Sequence, residues 1–193
     1  MILSGDTIKK LIANGELIKT EGVAYDPNQK RDVNAKELVL SHVGADNLDI
    51  RLGHGFKQID TSRCDHLEIG GSYNYKEMNE IDGGGIYLHP GEFCLGTSDE
   101  YLMLPDDVMA MVDSRSSVGR MGLVIQTAAF IHAGFKGRIT LELKNEAAVP
   151  ILLRPYDMVG QLIFMRLDAG TTTPYSGVYQ GQSETTSPNM AKC

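Results

Sequence analysis

Residues 138–144 read Arg138-Ile-Thr-Leu-Glu-Leu-Lys144, and the stretch alternates strictly: Ile139, Leu141 and Leu143 fall on one face of an extended chain, Thr140, Glu142 and Lys144 on the other. A period of two with a single apolar face marks a strand lying half-buried on a core. The same texture recurs in both directions, in VLSHVG (39–44), LDIRLG (48–53), GIYLHPGEFCLG (85–96), YLMLP (101–105), VPILLRP (149–155) and GQLIFMRL (160–167). Turn residues separate these segments at intervals of about ten positions, the spacing of a barrel or sandwich. One helical pattern precedes them. Ser4 or Asp6 can cap it, Ile8, Leu11 and Ile12 recur at helical spacing, and Gly15 stops it. The expectation is a mainly β fold, a barrel or jelly-roll-like sandwich with a short N-terminal helix.

The 193 residues, 42% hydrophobic and 22% charged, suit one domain that needs neither metal nor disulfide to hold its core. The domain is expected over residues 1–168. From Ala169 the composition turns to Gly, Ser, Thr and Gln with almost no aliphatics, so 169–193 reads as a flexible tail. That tail is either a frayed terminus or a flap over a ligand, with Tyr175, Tyr179, Gln180 and Gln182 as stacking and amide groups. No apolar run is long enough to cross a membrane as a helix, and the first ten residues lack a signal-peptide pattern, so a cytoplasmic location is expected. Cys64, Cys94 and Cys193 are scattered, without a C-x-x-C pair, which argues for reduced thiols and against a structural zinc site.

A net charge of −7 argues against broad nucleic-acid or anionic-membrane binding. The charge is uneven. Residues 67–107 hold nine acids and one lysine, whereas 113–166 hold seven bases and four acids. Any phosphate chemistry therefore belongs to the second stretch. Its densest part is Asp113-Ser-Arg-Ser-Ser-Val-Gly-Arg-Met-Gly122. This can form one helical turn with a hydroxyl cap and a glycine stop, whose free amides, with Arg115 and Arg120, would attract an anion; an ordinary capped turn with two surface arginines fits equally. Glu142, opposite an apolar strand face, reads in isolation as a solvated residue. His132 has no second His or Cys at ligand spacing, so packing or hydrogen bonding suits it better than a metal. His66-Leu-Glu68 matches half of the zinc nucleobase-deaminase signature, but no P-C-x-x-C follows, and that class is rejected.

Taken together, Ser114-Arg-Ser-Ser-Val-Gly-Arg120 and the run from Thr127 to Asn145 closely resemble the dCTP deaminase branch of the trimeric dUTPase family. LDIRLG (48–53), YLHPGE (87–92), GQL (160–162) and YQGQ (179–182) agree with it in order. The resemblance implies a distorted β-barrel or jelly roll of dUTPase type, assembled as a homotrimer with nucleotide sites between subunits. By motif it makes Glu142, Ser116 and Arg120 catalytic, with Arg120 pairing the Glu142 carboxylate and Ser116 enclosing it. The nucleotide site it implies comprises Arg115, Ser116, Ser117, Val118, Gly119, Arg120, His132, Thr140, Leu141, Glu142, Gln161, Tyr175 and Gln182. Mg²⁺ would arrive on the nucleotide triphosphate, with no zinc. The implied reaction is hydrolysis of dCTP to dUTP and ammonia.

Three positions depart from the family pattern. Val124-Ile-Gln-Thr-Ala128 stands where H-x-T-A is usual, one residue shorter and without the histidine; His132 replaces the Asp of I-D-x-G; and Val178 replaces a triphosphate-binding Lys, for which Lys136, Lys144 or Lys192 would have to substitute. Two other readings therefore stand beside the deaminase: a dUTP diphosphatase or bifunctional enzyme, and a non-catalytic nucleotide-binding regulator of the same fold.

Overall fold

The computed structural model describes residues 1–126 and 130–188; Thr127, Ala128, Lys192 and Cys193 lie outside the described residues. Helix α1 (Gly5–Ala13) is followed by β1 (Leu17–Ile18), β2 (Val23–Asp26), β3 (Arg31–Asn34) and α2 (Ala35–Ser41). Then come β4 (Leu48–Arg51), β5 (Lys57–Ile59), β6 (Tyr75–Glu77), β7 (Ile86–Leu88), β8 (Phe93–Met103) and β9 (Val108–Ser114). After the single turn α3 (Ser116–Gly119) the chain forms β10 (Leu123–Gln126), β11 (Phe130–Ile131), β12 (Lys136–Asn145), β13 (Ile151–Leu153) and β14 (Met158–Arg166).

The expected N-terminal helix is present. Its cap is Ser4, whose Oγ accepts from the Thr7 amide at 3.4 Å, and Gly15 leaves it at φ +83°. Residues 39–41, read above as part of a strand, instead end α2. Asn34 caps that helix by accepting from the Glu37 amide at 3.1 Å, and Ala35, Leu38 and Val39 fall on one buried face at helical spacing.

Two sheets dominate. One runs β10-β12-β8-β5-β6, with β1 also on β8; the other runs β11-β9-β14-β4. The neighbours in both sheets pair antiparallel. Their apolar faces share one core, in which Leu141 and Leu143 of β12 meet Val108 and Ala110 of β9 and Leu162 and Phe164 of β14. This is a distorted jelly-roll-like fold, mainly β as expected, and the hydrogen-bonded strands described do not close into a barrel. Asn145 ends β12 by donating to the Leu88 and Val149 carbonyls while accepting from the Ala147 amide.

A buried ion network links the sheets. The Arg51 guanidinium pairs with Glu100 Oε1 at 3.0 Å and Asp99 Oδ2 at 2.5 Å, and the Arg51 amide donates to Glu100 Oε2 at 2.9 Å. Both Arg51 and Glu100 are buried, so deleting one leaves the other charged without full compensation. We expect Glu100→Ala to cost about 3 kcal/mol, read from the urea midpoint. Glu77→Ala, which removes an exposed pair with Lys57, is expected to cost under about 1 kcal/mol.

Candidate active site

The β12 alternation sends Glu142 away from the core as expected, but not into bulk water. In register across the sheet, Glu142 stands opposite Gln126 of β10 and Leu95 of β8. Its side chain enters a cleft of about 430 Å³, walled by Leu95, Phe135, Ile139 and Thr140 and closed by Tyr175 and Gln182 from the tail. Among the described residues the carboxylate has neither a hydrogen bond nor an ion pair. Burial raises its proton affinity above that of an ordinary glutamate. The Tyr75 phenol is also pushed up, first by burial and then by the negative charge of Glu142. A carboxyl that is half dry, unpaired and able to hold or release a proton can serve as a general acid and base.

The remaining walls come from residues distant in sequence. His132, exposed, stacks on Tyr175 with centroids 5.8 Å apart and planes 5° from parallel. Phe135 meets the same Tyr175 edge-on at 5.7 Å. The tail lies along β12 where β10 no longer pairs with it: the Gly181 amide donates to the Lys136 carbonyl at 2.7 Å and the Arg138 amide to the Gln182 carbonyl at 2.9 Å. Gln182 Nε2 donates to the Arg138 carbonyl at 2.6 Å, while its Oε1 is buried without a donor among the described residues. Two glycines make room for this. A Cβ at Gly134 would lie 2.5 Å from Pro174 Cβ, and one at Gly137 would lie 3.0 Å from the Gln182 carbonyl oxygen. The tail through Pro188 thus lies as a strap beside Glu142. Val178, in place of the family lysine, lines a second hollow on its outer side.

The second group of expected residues is elsewhere on the chain. Ser116, Ser117, Gly119 and Arg120 are exposed, Val118 is half-buried, and none of them lines the Glu142 cleft. The expected hydroxyl cap is not made: Arg115 is the N-cap residue of α3 and no side chain caps the turn. The glycine stop holds, with Gly122 at φ +93°. Arg115 Nη2 pairs with Asp49 Oδ2 at 3.2 Å, and Asn47 Nδ2 donates both to Asp49 Oδ1 at 3.0 Å and to Gln161 Oε1 at 3.3 Å. Gln161 therefore belongs with the basic turn. Within one chain Arg120 makes no ion pair with Glu142. Leu141 is fully buried in the core, so only its backbone can border the cleft. The structure thus gathers His132, Thr140, Glu142, Tyr175 and Gln182 around one cleft and keeps the basic turn with Gln161 apart from it.

Sequence reasoning passed over Leu95, Phe130, Ile131, Phe135, Thr186 and Pro188, which also line the cleft. Leu95 and Phe135 look like ordinary core residues, and nothing in the tail composition signals which of its residues are bound. Among the described residues no three or more His, Cys, Asp or Glu side chains are grouped to hold a metal ion. No helix of the described residues is long and apolar enough to cross a membrane.

The jelly-roll-like fold thus carries a carboxylate cleft beneath a C-terminal strap. The same fold occurs in the crystal structure of 2'-deoxycytidine 5'-triphosphate deaminase from Agrobacterium tumefaciens, with a TM-score of 0.58 and 23% identity over 84% of this chain; the match spans 47% of that protein, about half its length. Residues 2–167 match the profile of the dCTP deaminase-like family, and the chain belongs to that family. It is 35% identical to a "dCTP deaminase, dUMP-forming" of Persephonella marina, covering 98% of this chain and 97% of that one. It is 38% identical to a protein of the same name from Beutenbergia cavernae, over 94% and 91% of the two chains.

Proposed function

We propose that the chain hydrolyses the C4–N4 bond of dCTP, releasing ammonia, with Glu142 as the proton carrier. The observation that carries this reading is the half-buried Glu142 carboxylate, with raised proton affinity and no partner among the described residues, at a cleft wide enough for a pyrimidine nucleoside. Water adds to C4 as its proton passes to Glu142, which returns it to N3. The new C4 hydroxyl then loses its proton, the amino group gains one, the C4–N4 bond breaks, and a carbonyl remains. One carboxyl can carry every proton in that sequence, a role worth about 10² to 10⁴ in rate.

Thr140 and the β12 backbone would border the base and sugar, and Tyr175 and Gln182 would cover them. The basic turn Arg115–Arg120, with Gln161, would bind phosphates and hold Glu142 in place from a second copy, because its own chain keeps it out of the cleft. A homotrimer with sites between subunits satisfies both half-sites. Glu142 is the only carboxylate lining the cleft among the described residues. Mg²⁺ would therefore ride on triphosphate oxygens and water rather than in a protein cage.

The names of the relatives favour a second step, in which the dUTP formed is cleaved to dUMP and diphosphate within the same protein. His132 bears on that step. It stands where the family carries an Asp able to orient water, and a neutral imidazole is a weaker acceptor. We expect His132→Asp to raise dUTP cleavage at least about tenfold while leaving ammonia release near the parental rate; unchanged cleavage would mean that this position does not limit it.

The deciding experiment incubates the protein with Mg²⁺ and dCTP, dCMP or dUTP, resolving nucleotides by chromatography and assaying ammonia and diphosphate. Ammonia with dUTP supports the deaminase; ammonia with dUMP and diphosphate supports the bifunctional enzyme. Tight nucleotide binding without product overturns both in favour of a regulator.

A further inference from the structure

The strap after Gln182 runs between two hollows. On one side is the Glu142 cleft; on the other is a wider one of about 660 Å³, lined by Lys57, the Gly70-Gly71-Ser72 turn and strap residues including Val178 and Ser183. Tyr179, Thr186 and Pro188 line both. A segment with open space on two flanks gains little from apolar packing, so directional bonds must fix its position.

Up to Gln182 the backbone pairing with Lys136 and Arg138 supplies them. Beyond it, one of the described residues is buried: Thr185, 3% exposed, donates its hydroxyl to the Gly55 carbonyl at 2.6 Å across 130 positions of sequence. Gly55 sits at φ +84° in the turn between β4 and β5, on a part of the fold anchored to both sheets. Next to the buried hydroxyl, the Thr186 amide donates to Thr140 Oγ1 at 3.3 Å, and Thr140 shares the Glu142 face of β12. The Thr185 contact thus closes the free end of a strap whose middle covers the carboxylate.

We infer that Thr185 is a positioning residue, a hydroxyl latch on the Gly55 carbonyl that holds Tyr179, Gln182 and Thr186 at the mouth of the Glu142 cleft in the chain that carries the carboxylate. The latch is a property of the fold alone; its effect on substrate rests on the deaminase reading. Losing a buried donor also leaves the Gly55 carbonyl unpaired, and an opening equilibrium then shifts by about tenfold or more. An incoming nucleotide must find or restore the closed strap, so apparent affinity falls in proportion to the closed fraction of the free protein, while the saturated, closed complex reacts at the usual rate.

Two substitutions test it in the full chain. Thr185→Val keeps the volume and removes the donor; Thr185→Ser keeps the donor. In the valine variant the Arg138 and Gly181 amides, both bonded across the strap, are expected to exchange hydrogen about tenfold faster, with no change along β9 and β14. The KM for dCTP is expected to rise by the factor that the exchange rates give for the loss of closed strap, with kcat within about twofold, and serine is expected to restore both. Unchanged exchange overturns the latch. A KM that does not follow the loss of closed strap, or a loss confined to kcat, overturns the positioning role. If the parental protein converts no dCTP, the deaminase reading fails separately: the exchange rates still decide the latch, and the dissociation constant for dCTP replaces KM in deciding whether the strap positions a nucleotide.

Discussion

Glu142→Gln is expected to lower ammonia release from dCTP by at least about 10²-fold while dCTP still binds within a few-fold of the parental affinity. The amide keeps the shape of the side chain but can neither take a proton from water nor return one to N3. A variant with near-normal turnover would remove Glu142 as the proton carrier and direct the search to His132 or Tyr175 in the same cleft. The pH dependence supplies a second readout. Burial holds the Glu142 carboxyl protonated to higher pH than an ordinary glutamate and Arg120 of a second copy would oppose this, so the acid limb of the residual kcat/KM should move to higher pH in Arg120→Ala.

The same shift bears on stability, and its sign is opposite to that of a salt-bridged acid. A group whose folded-state pKa is raised favours folding when protonated and costs stability once ionised. That cost is absent below the unfolded-state value, grows as pH rises through the folded-state value, and is complete above it. The Gln variant never ionises. In an Arg120→Ala background, where the basic turn of a second copy no longer offers Glu142 that cation, the melting temperature of the Gln variant should therefore match that of Arg120→Ala alone in acid and equal or exceed it at neutral pH. A Gln variant less stable at neutral pH than in acid, relative to Arg120→Ala alone, would mean that Glu142 has a stabilising partner other than Arg120.

Local patterning made much of the fold legible. The alternation in 138–144 assigned each side chain of β12 to its face, and Ser4 with Gly15 marked the ends of α1. Val39 and Leu40 misled because a short apolar run has no period of its own; the signal that decides it is the cap, Asn34 with Glu37 three residues on, at the start of a segment whose apolar spacing includes Ala35. The candidate site was legible as residue types and not as a place. Alternation aims Glu142 outward, yet its burial depends on Tyr175 and Gln182, more than thirty positions later in a segment without aliphatics to advertise contact. Gly134 and Gly137 likewise look like turn residues until the strap lies against them. Asp49 and Arg51, adjacent in one motif, part ways: Asp49 joins Arg115 near the surface, while Arg51 meets Asp99 and Glu100 inside. Alternation puts both on one face of β4, so the division is set by the partners that distant segments bring to each after folding.

Mixing two inactive variants should restore activity if the half-sites of different copies combine. Chains carrying Glu142→Gln lack the proton carrier but keep the basic turn; chains carrying Arg120→Ala keep the carboxylate but lose a forked cation. Alone, each is expected to fall at least about 10²-fold. In a closed ring every cleft faces the turn of one neighbour. Co-expressed in equal amounts and assembled at random, the two chains unite an intact cleft with an intact turn at about one site in four, so the mixture should recover about a quarter of parental turnover. If Glu142 and Arg120 of one chain served the same site, every site would contain a defect and the mixture would stay inactive. Co-expressing the Glu142→Gln chain with a Glu142→Gln/Arg120→Ala chain gives the control, since no cleft in that mixture holds a carboxylate and assembly alone restores nothing. Recovery in the first mixture and none in the second requires that the exposed turn at 115–120 completes the cleft of another copy, which is the arrangement that explains why its two arginines lie outside their own.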